Sequence, residues 1–382
     1  MPHVRLRGAG KIGRMIAKML TESGDYDLLV GDGDPAALER IAAQSKVQTR
    51  QVDADDPRQL RAVIEGRDLV ISALSYAHNP TVAQVALDAG ASYFDLTEDV
   101  ATTDRVTEIS RSARPGQVFM PQCGLAPGFV SIVAADLAKA FETLETVYMR
   151  VGALPQFPTG ALMYNLTWST DGLINEYCNL CEAIHEGRRI DVLPLEGIEH
   201  FSLDGVRYEA FNTSGGLGTL CDSLDGSVRE LNYKTIRYVG HRDLMRFLTH
   251  DLRLSARREL LKDILERAVP VTFQDVVVVF CTASGRRNGQ LVQQSDARKI
   301  YGETIDGEQW SAIQITTAAG ICAVVDLFCQ GRLTGTGLLR QEQVTLADFL
   351  DNRFGRHYRG SKIYSRFVGA VNGGAATDET AP

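Results

Sequence analysis

The chain has 382 residues, of which 44% are hydrophobic and 23% charged, a balance that excludes a disordered or fibrous protein and, at this length, predicts two domains. A formal net charge of −8 argues against nucleic acid or an anionic membrane as the main partner and points to a small-molecule ligand. No run of about 18 apolar residues reads as a membrane span. The opening MPHVRLRGAGKIG lacks the apolar stretch of a signal peptide, and seven irregularly spaced cysteines do not suggest a disulfide framework, so the expected location is the cytoplasm.

Residues 3–7 read as a strand broken at Gly8-Ala9-Gly10, with a helix from Lys11 to Ser23. A second strand over 27–30 ends at Gly31-Asp32, and a helix over 35–44 carries Ala37, Leu38, Ile41 and Ala42 at helical spacing. Strand 47–52 and helix 57–64 follow. DLVISAL (68–74) is a continuous apolar strand of the kind buried on both faces of a parallel sheet. Helix 81–89 is closed by Gly90; strand 92–96, helix 106–114 and strand 117–121 complete the series. Strand and helix alternating at this spacing predict an α/β fold with a parallel, doubly wound (Rossmann) sheet. Beyond residue 145 the pattern changes. Strands are expected over 146–151, 206–212, 234–238, 271–282 and 309–316, giving an α+β domain with a mixed sheet. A helix is expected over 173–184, and an apolar helix over 318–328 packing back on the first domain. The expected organisation is a nucleotide-binding domain over 1–125, a substrate-binding and dimerisation domain over 126–328, a returning segment over 329–371 and a disordered tail over 372–382.

Gly8-Ala9-Gly10-Lys11-Ile12-Gly13 matches G-x-G-x-x-G. The string alone is weak, but here it follows a strand, opens a helix, and is followed by Asp32 at the end of the second strand. The first glycine permits the turn, the second lets backbone approach a pyrophosphate, and the third lets helix and strand pack closely. Helix N–H groups from Lys11 and Ile12 onward supply positive charge for the phosphates. Asp32 would accept hydrogen bonds from ribose hydroxyls, and since no basic residue follows it among Gly33, Asp34 and Pro35, NAD is expected over NADP. Asp53 after the third strand and Ala73, Leu74, Leu96, Gly124 and Ala126 at later strand ends join the expected cofactor set, because ligands of open α/β sheets lie beyond the carboxyl ends of the strands. Tyr76, Asp95 and Glu98 should flank the nicotinamide half; Tyr76 as a packing aromatic and Asp95 as a capping acid are the plainer readings.

Cys178-x-x-Cys181 has no second pair at zinc spacing, so no metal is expected. Cys123, just before a Gly-rich turn, offers a rival chemistry, a thiolate attacking an aldehyde; a buried thiol is the plainer reading. A non-catalytic NAD-binding sensor is a further alternative.

Pro121-Gln122-Cys123-Gly124-Leu125-Ala126-Pro127-Gly128, a strand leading into G-[LV]-A-P-G and a helix, resembles the saccharopine dehydrogenase family. The likeness continues in Ser72-Ala73-Leu74, Asn79–Val85, Arg150–Pro155, Ala210–Gly216 and Tyr233–His241. Within the family the chain looks most like the members that oxidatively deaminate the ε-carbon of lysine. That resemblance implies a homodimer made through the second domain, and a 2-aminoadipate 6-semialdehyde product that closes to 1-piperideine-6-carboxylate. Two segments depart from the pattern: 95–99 is acidic where lysine-oxidising members carry glycines, and 156–163 has lost part of a proline pattern.

Amine oxidation needs the neutral amine, and lysine's reference pKa is near 10.4, so a base or an apolar setting is required. His241 is a candidate, with Asp95 and Glu98 as rivals. Arg237 and Arg150 are candidate carboxylate clamps. Thr213, Ser214 and Gly215 are candidates for the amino-acid head group, and Tyr164 and Tyr76 complete the expected substrate set. Saccharopine or a carboxynorspermidine-type secondary amine is the alternative substrate, and should require more arginines.

Overall fold

β1 (His3–Arg7), β2 (Asp27–Asp32), β3 (Gln48–Gln51), β4 (Leu69–Ser72), β5 (Ser92–Asp95) and β6 (Val118–Met120) alternate with α1 (Lys11–Ser23), α2 (Pro35–Gln44), α3 (Pro57–Ile64), α4 (Asn79–Ala89) and α5 (Val100–Ser110). This is a computed structural model that describes residues 1–364 and 368–369; the tail expected over 372–382 lies outside the described residues. Local chemistry sets the helix limits. Asp34 and Asp56 cap α2 and α3, each with a proline in the first turn, and Asp99 caps α5. Gly24 and Gly90 close α1 and α4 in the left-handed conformation.

The strands form one parallel sheet in the order β6-β5-β4-β1-β2-β3, extended beyond β6 by the short parallel strand Gly337–Leu338. The order reverses between β1 and β4, and a crevice opens at that point beyond the strand ends. Alternation along β1 sends Val4 and Leu6 to one core and leaves Arg5 and Arg7 facing the other.

After helix α6 (Phe129–Ala138), the second sheet takes over with β7 (Thr143–Pro155), β8 (Cys181–His185), β9 (Arg188–Val192), β10 (Glu199–Leu203), β11 (Val206–Asn212), β12 (Val228–Tyr238), β13 (Asp275–Arg287) and β14 (Gln290–Tyr301). Its main path runs β10-β11-β12-β7-β13-β14 and is mixed, since β12 pairs with β7 in parallel while its other neighbours are antiparallel. The expected strand 271–282 therefore begins later and runs longer.

Two expected elements are corrected. Of the strand expected over 309–316 only Gln309 and Trp310 are extended, closing the short strand Glu308–Trp310; Ser311 and Gln314 then form a capping box that starts a helix at Ala312 and carries it to Cys329. Ile313 and Ile315 mimic a two-residue period, and because nearly every position of this helix is buried, the sequence shows no 3.6-residue contrast. The helix is long and apolar enough to cross a membrane, but 83% of its span is buried inside the protein, where it packs against α1 and β13. The helix expected over 173–184 covers Thr170–Cys178 and then gives way to β8 at Cys181, so Cys178 and Cys181 do not share a helix face.

Candidate active site

The glycine-rich turn has the shape a dinucleotide needs. Gly8 has φ 103°, and a Cβ on Gly13 would lie 2.0 Å from the Gly8 carbonyl oxygen, so only glycine lets α1 approach β1 this closely. A Cβ on Gly10 would meet nothing within 4 Å, leaving open space above the N-terminus of α1, which no side chain caps. Asp32 accepts from Ala9 N–H (2.6 Å) and Asp34 N–H (2.9 Å), which sets its carboxylate at the lip of this turn. Asp53 is exposed just beyond β3 and accepts from Asp55 N–H. These residues fit a nicotinamide dinucleotide, whose phosphates the uncapped N-terminus at Gly10, Lys11 and Ile12 would hold.

A cavity of about 270 Å³ continues from the strand ends into the second domain. Ile12, Ala73, Leu74, Leu96, Gly124 and Ala126 line its nucleotide side, and Tyr76 and Glu98 stand beside them. The second domain closes it with Val151 from β7, Trp168 and Glu176 from the segment around helix Thr170–Cys178, and Tyr233, Thr235 and Arg237 from β12. The last three alternate along one strand and so share a face.

The polar end of the cavity is made by Arg237, Glu98 and Glu176. Arg237 is buried; its Nε donates to the Tyr177 hydroxyl (2.9 Å) and Nη1 to the Ile236 carbonyl (2.9 Å). Nη2 has no hydrogen-bond partner among the described residues. Among the described residues lining the cavity, Arg237 is also the one cation. Glu98 and Glu176 form no salt bridge among the described residues. Burial raises Glu98 to about 7, with Asp99, Asp95 and Asp171 adding to the effect. Burial likewise raises Glu176 to about 8, a shift that Arg237 opposes and Glu98 reinforces. Both acids thus change charge near neutral pH inside a largely apolar cavity, the condition a general base requires.

Several expected residues do other work. His241 does not line the cavity. It is 1% exposed, with Nδ1 against the Leu162 carbonyl (2.8 Å) and Nε2 against the Tyr177 hydroxyl (3.0 Å). Burial and the neighbouring Arg237 lower its pKa to about 3. It is a neutral ring with both nitrogens engaged, holding the Tyr177 hydroxyl to which Arg237 donates. Asp95 is fully buried and accepts from Tyr93 O–H (2.9 Å), Thr97 N–H (2.9 Å) and Gln122 N–H (3.0 Å), tying the end of β5 to the chain leaving β6. Arg150 lies on the face of β7 opposite Val151, where Glu199 and Asn232 bind its guanidinium, so it clamps no substrate. Tyr164 stacks under Arg237, 4.9 Å from ring centroid to guanidinium carbon.

Thr213, Ser214 and Gly215 brace the site from behind. Thr213 shares a hydrogen bond with Thr235 (2.6 Å), Ser214 N–H donates to the Glu176 carbonyl (3.0 Å), and a Cβ on Gly215 would lie 2.2 Å from the Glu98 carbonyl oxygen. Cys123 is 1% exposed, its thiol donates to the Met120 carbonyl (3.0 Å), and burial pushes its pKa well up. This is not a thiolate nucleophile. Among the described residues no group of three or more His, Cys, Asp and Glu is arranged to hold a metal. Glu176 was not singled out from the sequence. Its signal was available: an acid between the apolar Leu173, Ile174 and Tyr177, on the face a short helix buries.

Residues 4–120 match the family profile described as saccharopine dehydrogenase NADP binding domain, and residues 124–355 match the saccharopine dehydrogenase C-terminal domain. Among curated proteins, the mitochondrial alpha-aminoadipic semialdehyde synthase of Bos taurus is 20% identical over 373 residues, covering 93% of this chain and 37% of that protein. Its counterpart from Rattus norvegicus is 22% identical over 197 residues, 50% of this chain and 21% of that protein. The chain thus spans well under half the length of these relatives. Among solved structures, apo saccharopine dehydrogenase (L-Glu forming) from Saccharomyces cerevisiae superposes with a TM-score of 0.76 at 16% identity, covering 97% of this chain and 100% of that one, and so shares its fold. With both halves matched in order, the chain belongs to the saccharopine dehydrogenase family, whose members are nicotinamide-dependent oxidoreductases acting on carbon–nitrogen bonds.

Proposed function

We propose that the chain oxidises the ε-carbon of L-lysine with NAD, giving 2-aminoadipate 6-semialdehyde, which cyclises to 1-piperideine-6-carboxylate. The observation that carries this reading is the polar end of the cavity, one free guanidinium edge on Arg237 with two buried, weakly acidic carboxyls. Lysine carries one carboxylate and two amino groups, the complement of one guanidinium and two carboxyls. Saccharopine carries three carboxylates, for which a single lining cation is a poor match.

The nicotinamide, when bound, supplies a hydride acceptor at C4. The chain's own residues do the rest. Arg237 grips the substrate carboxylate through Nη2, held in place by Tyr177 and by its carbonyl contact. Glu98, on the loop leaving β5 beside Leu96, accepts the ammonium proton and frees the nitrogen lone pair that expels hydride from the adjacent carbon. Glu176, reached from the opposite domain, balances the charge of Arg237 and of the developing iminium. Leu74, Leu96 and Trp168 keep bulk water from the reacting carbon during hydride transfer; one water then adds to the iminium carbon, and ammonia leaves as the semialdehyde forms. Asp32 at the ribose edge favours NAD.

The test is absorbance at 340 nm with NAD and a panel of lysine, saccharopine and carboxynorspermidine at pH 9–10. Lysine should give the fastest reduction. Turnover of a secondary amine with none of lysine would refute the substrate, and tight NAD binding with no turnover of any amine would favour a sensor.

A further inference from the structure

Arg5 and Arg7 are both 0% exposed within the nucleotide-binding domain. All three guanidinium nitrogens of Arg5, and Nε and Nη1 of Arg7, are buried without a hydrogen-bond partner. The two side chains converge over Gly31 of β2. A Cβ there would lie 2.2 Å from Arg7 Nη1 and 2.5 Å from Arg5 Nη2, which places those nitrogens within about 5 Å of each other. Arg7 pairs in register with Gly31, and Gly31 with Arg50 of β3, so Arg50 continues the same row.

This pair lies beneath the expected adenosine-ribose site. Arg7 immediately precedes Gly8, and its Nη2 donates to the Val52 carbonyl (3.1 Å); Val52 N–H in turn donates to the Asp32 carbonyl (2.9 Å). The acids that act on Arg7 are Asp32 and Asp53, while Arg5 is surrounded by the positive charges of Arg7, Arg67 and Arg50. Two carboxylates at the ribose edge thus face two guanidiniums behind them. A buried charge without a close partner is poorly screened, so its field reaches the ligand side of Asp32.

Asp32 alone would repel the 2′-phosphate of NADP. We propose that Arg7, backed by Arg5, is a cofactor-specificity residue that offsets this repulsion from within the sheet, so that the chain binds NADPH as well as NADH, with NADH favoured by no more than about tenfold. The proposal depends on dinucleotide binding and not on the identity of the amine.

It is tested by titrating NADH and NADPH into the protein without substrate, by calorimetry at fixed ionic strength, with the wild type, Arg7→Leu and Arg7→Lys, melting temperatures being measured in parallel. The wild type should hold the two nucleotides within about tenfold. Arg7→Leu should widen the gap by on the order of tenfold through weaker NADPH binding, the change expected when one buried unit charge is removed near a dianion. Arg7→Lys should stay near the wild type. Exclusion of NADPH by about a thousandfold or more in the wild type would overturn the proposal without any variant. So would an unchanged ratio in a folded Arg7→Leu. Failure to bind either nucleotide would overturn it together with the dinucleotide reading.

Discussion

Replacing Glu176 by Gln keeps the side chain's shape and removes its titration. Burial is the main cause that raises this carboxyl from 4.5 to about 8. The folded protein therefore keeps a proton that the unfolded chain gives up across that window. Where the folded state binds more protons, stability falls as pH rises. The contribution of Glu176 is full below about pH 4.5 and is lost as pH climbs to about 8. At 1.36 kcal/mol per pKa unit, a shift of that size corresponds to roughly 4–5 kcal/mol, a large share of the stability of an ordinary domain. Glu98, raised to about 7, adds a slope of the same sign that the substitution leaves in place. Urea unfolding followed by far-UV circular dichroism from pH 5 to pH 9, without nucleotide, measures the effect. The Gln variant should match the wild type at pH 5 and exceed it by a few kcal/mol at pH 9. A variant that loses stability with pH as steeply as the wild type would refute the buried, protonated Glu176.

Four further outcomes follow from the same geometry. Glu98→Gln should lower kcat for amine oxidation by about a hundredfold, in the range removed with a general base, while NADH titration shows unchanged affinity; the wild-type kcat/KM should rise with pH through about 7–8 as Glu98 and Glu176 ionise. His241→Asn should leave that pH profile in place, because the imidazole is already neutral and engaged, but should lower the melting temperature and raise KM for the amine as Tyr177 and Arg237 loosen. Gly31→Ala should destabilise the nucleotide-binding domain by about 1–3 kcal/mol, since its methyl would collide with both buried guanidiniums; an unchanged urea midpoint would contradict the packing described.

The nucleotide half was legible because its signals are local. A turn of three glycines, an acid at a strand end and the alternation of strand with helix each lie within a few tens of residues. The second half was legible in class only. Helix Ala312–Cys329 is buried almost all round and so shows no amphipathic period, while Ile313 and Ile315 imitate a strand. The site residues divide by the same logic. Leu74, Leu96 and Glu98 follow from strand ends, whereas the face that β7 or β12 turns toward the cavity depends on register. One step along β7 separates Val151, which lines the cavity, from Arg150, which is held by Glu199 on the other side. His241 was attractive for its usual pKa, but burial beside a guanidinium removed that property. Arg5 and Arg7 alternate with Val4 and Leu6 along β1, but their convergence over Gly31 depends on the cross-strand register.

The most direct test of amine oxidation at this cavity is the fate of the hydrogen on the ε-carbon. Lysine deuterated only at that carbon is incubated with the protein and NAD, and the reduced nucleotide is analysed by mass spectrometry. Amine oxidation at the ε-carbon places one deuterium in the nicotinamide ring. Reduced nucleotide without deuterium, with both deuteriums retained on the carbon, would contradict it.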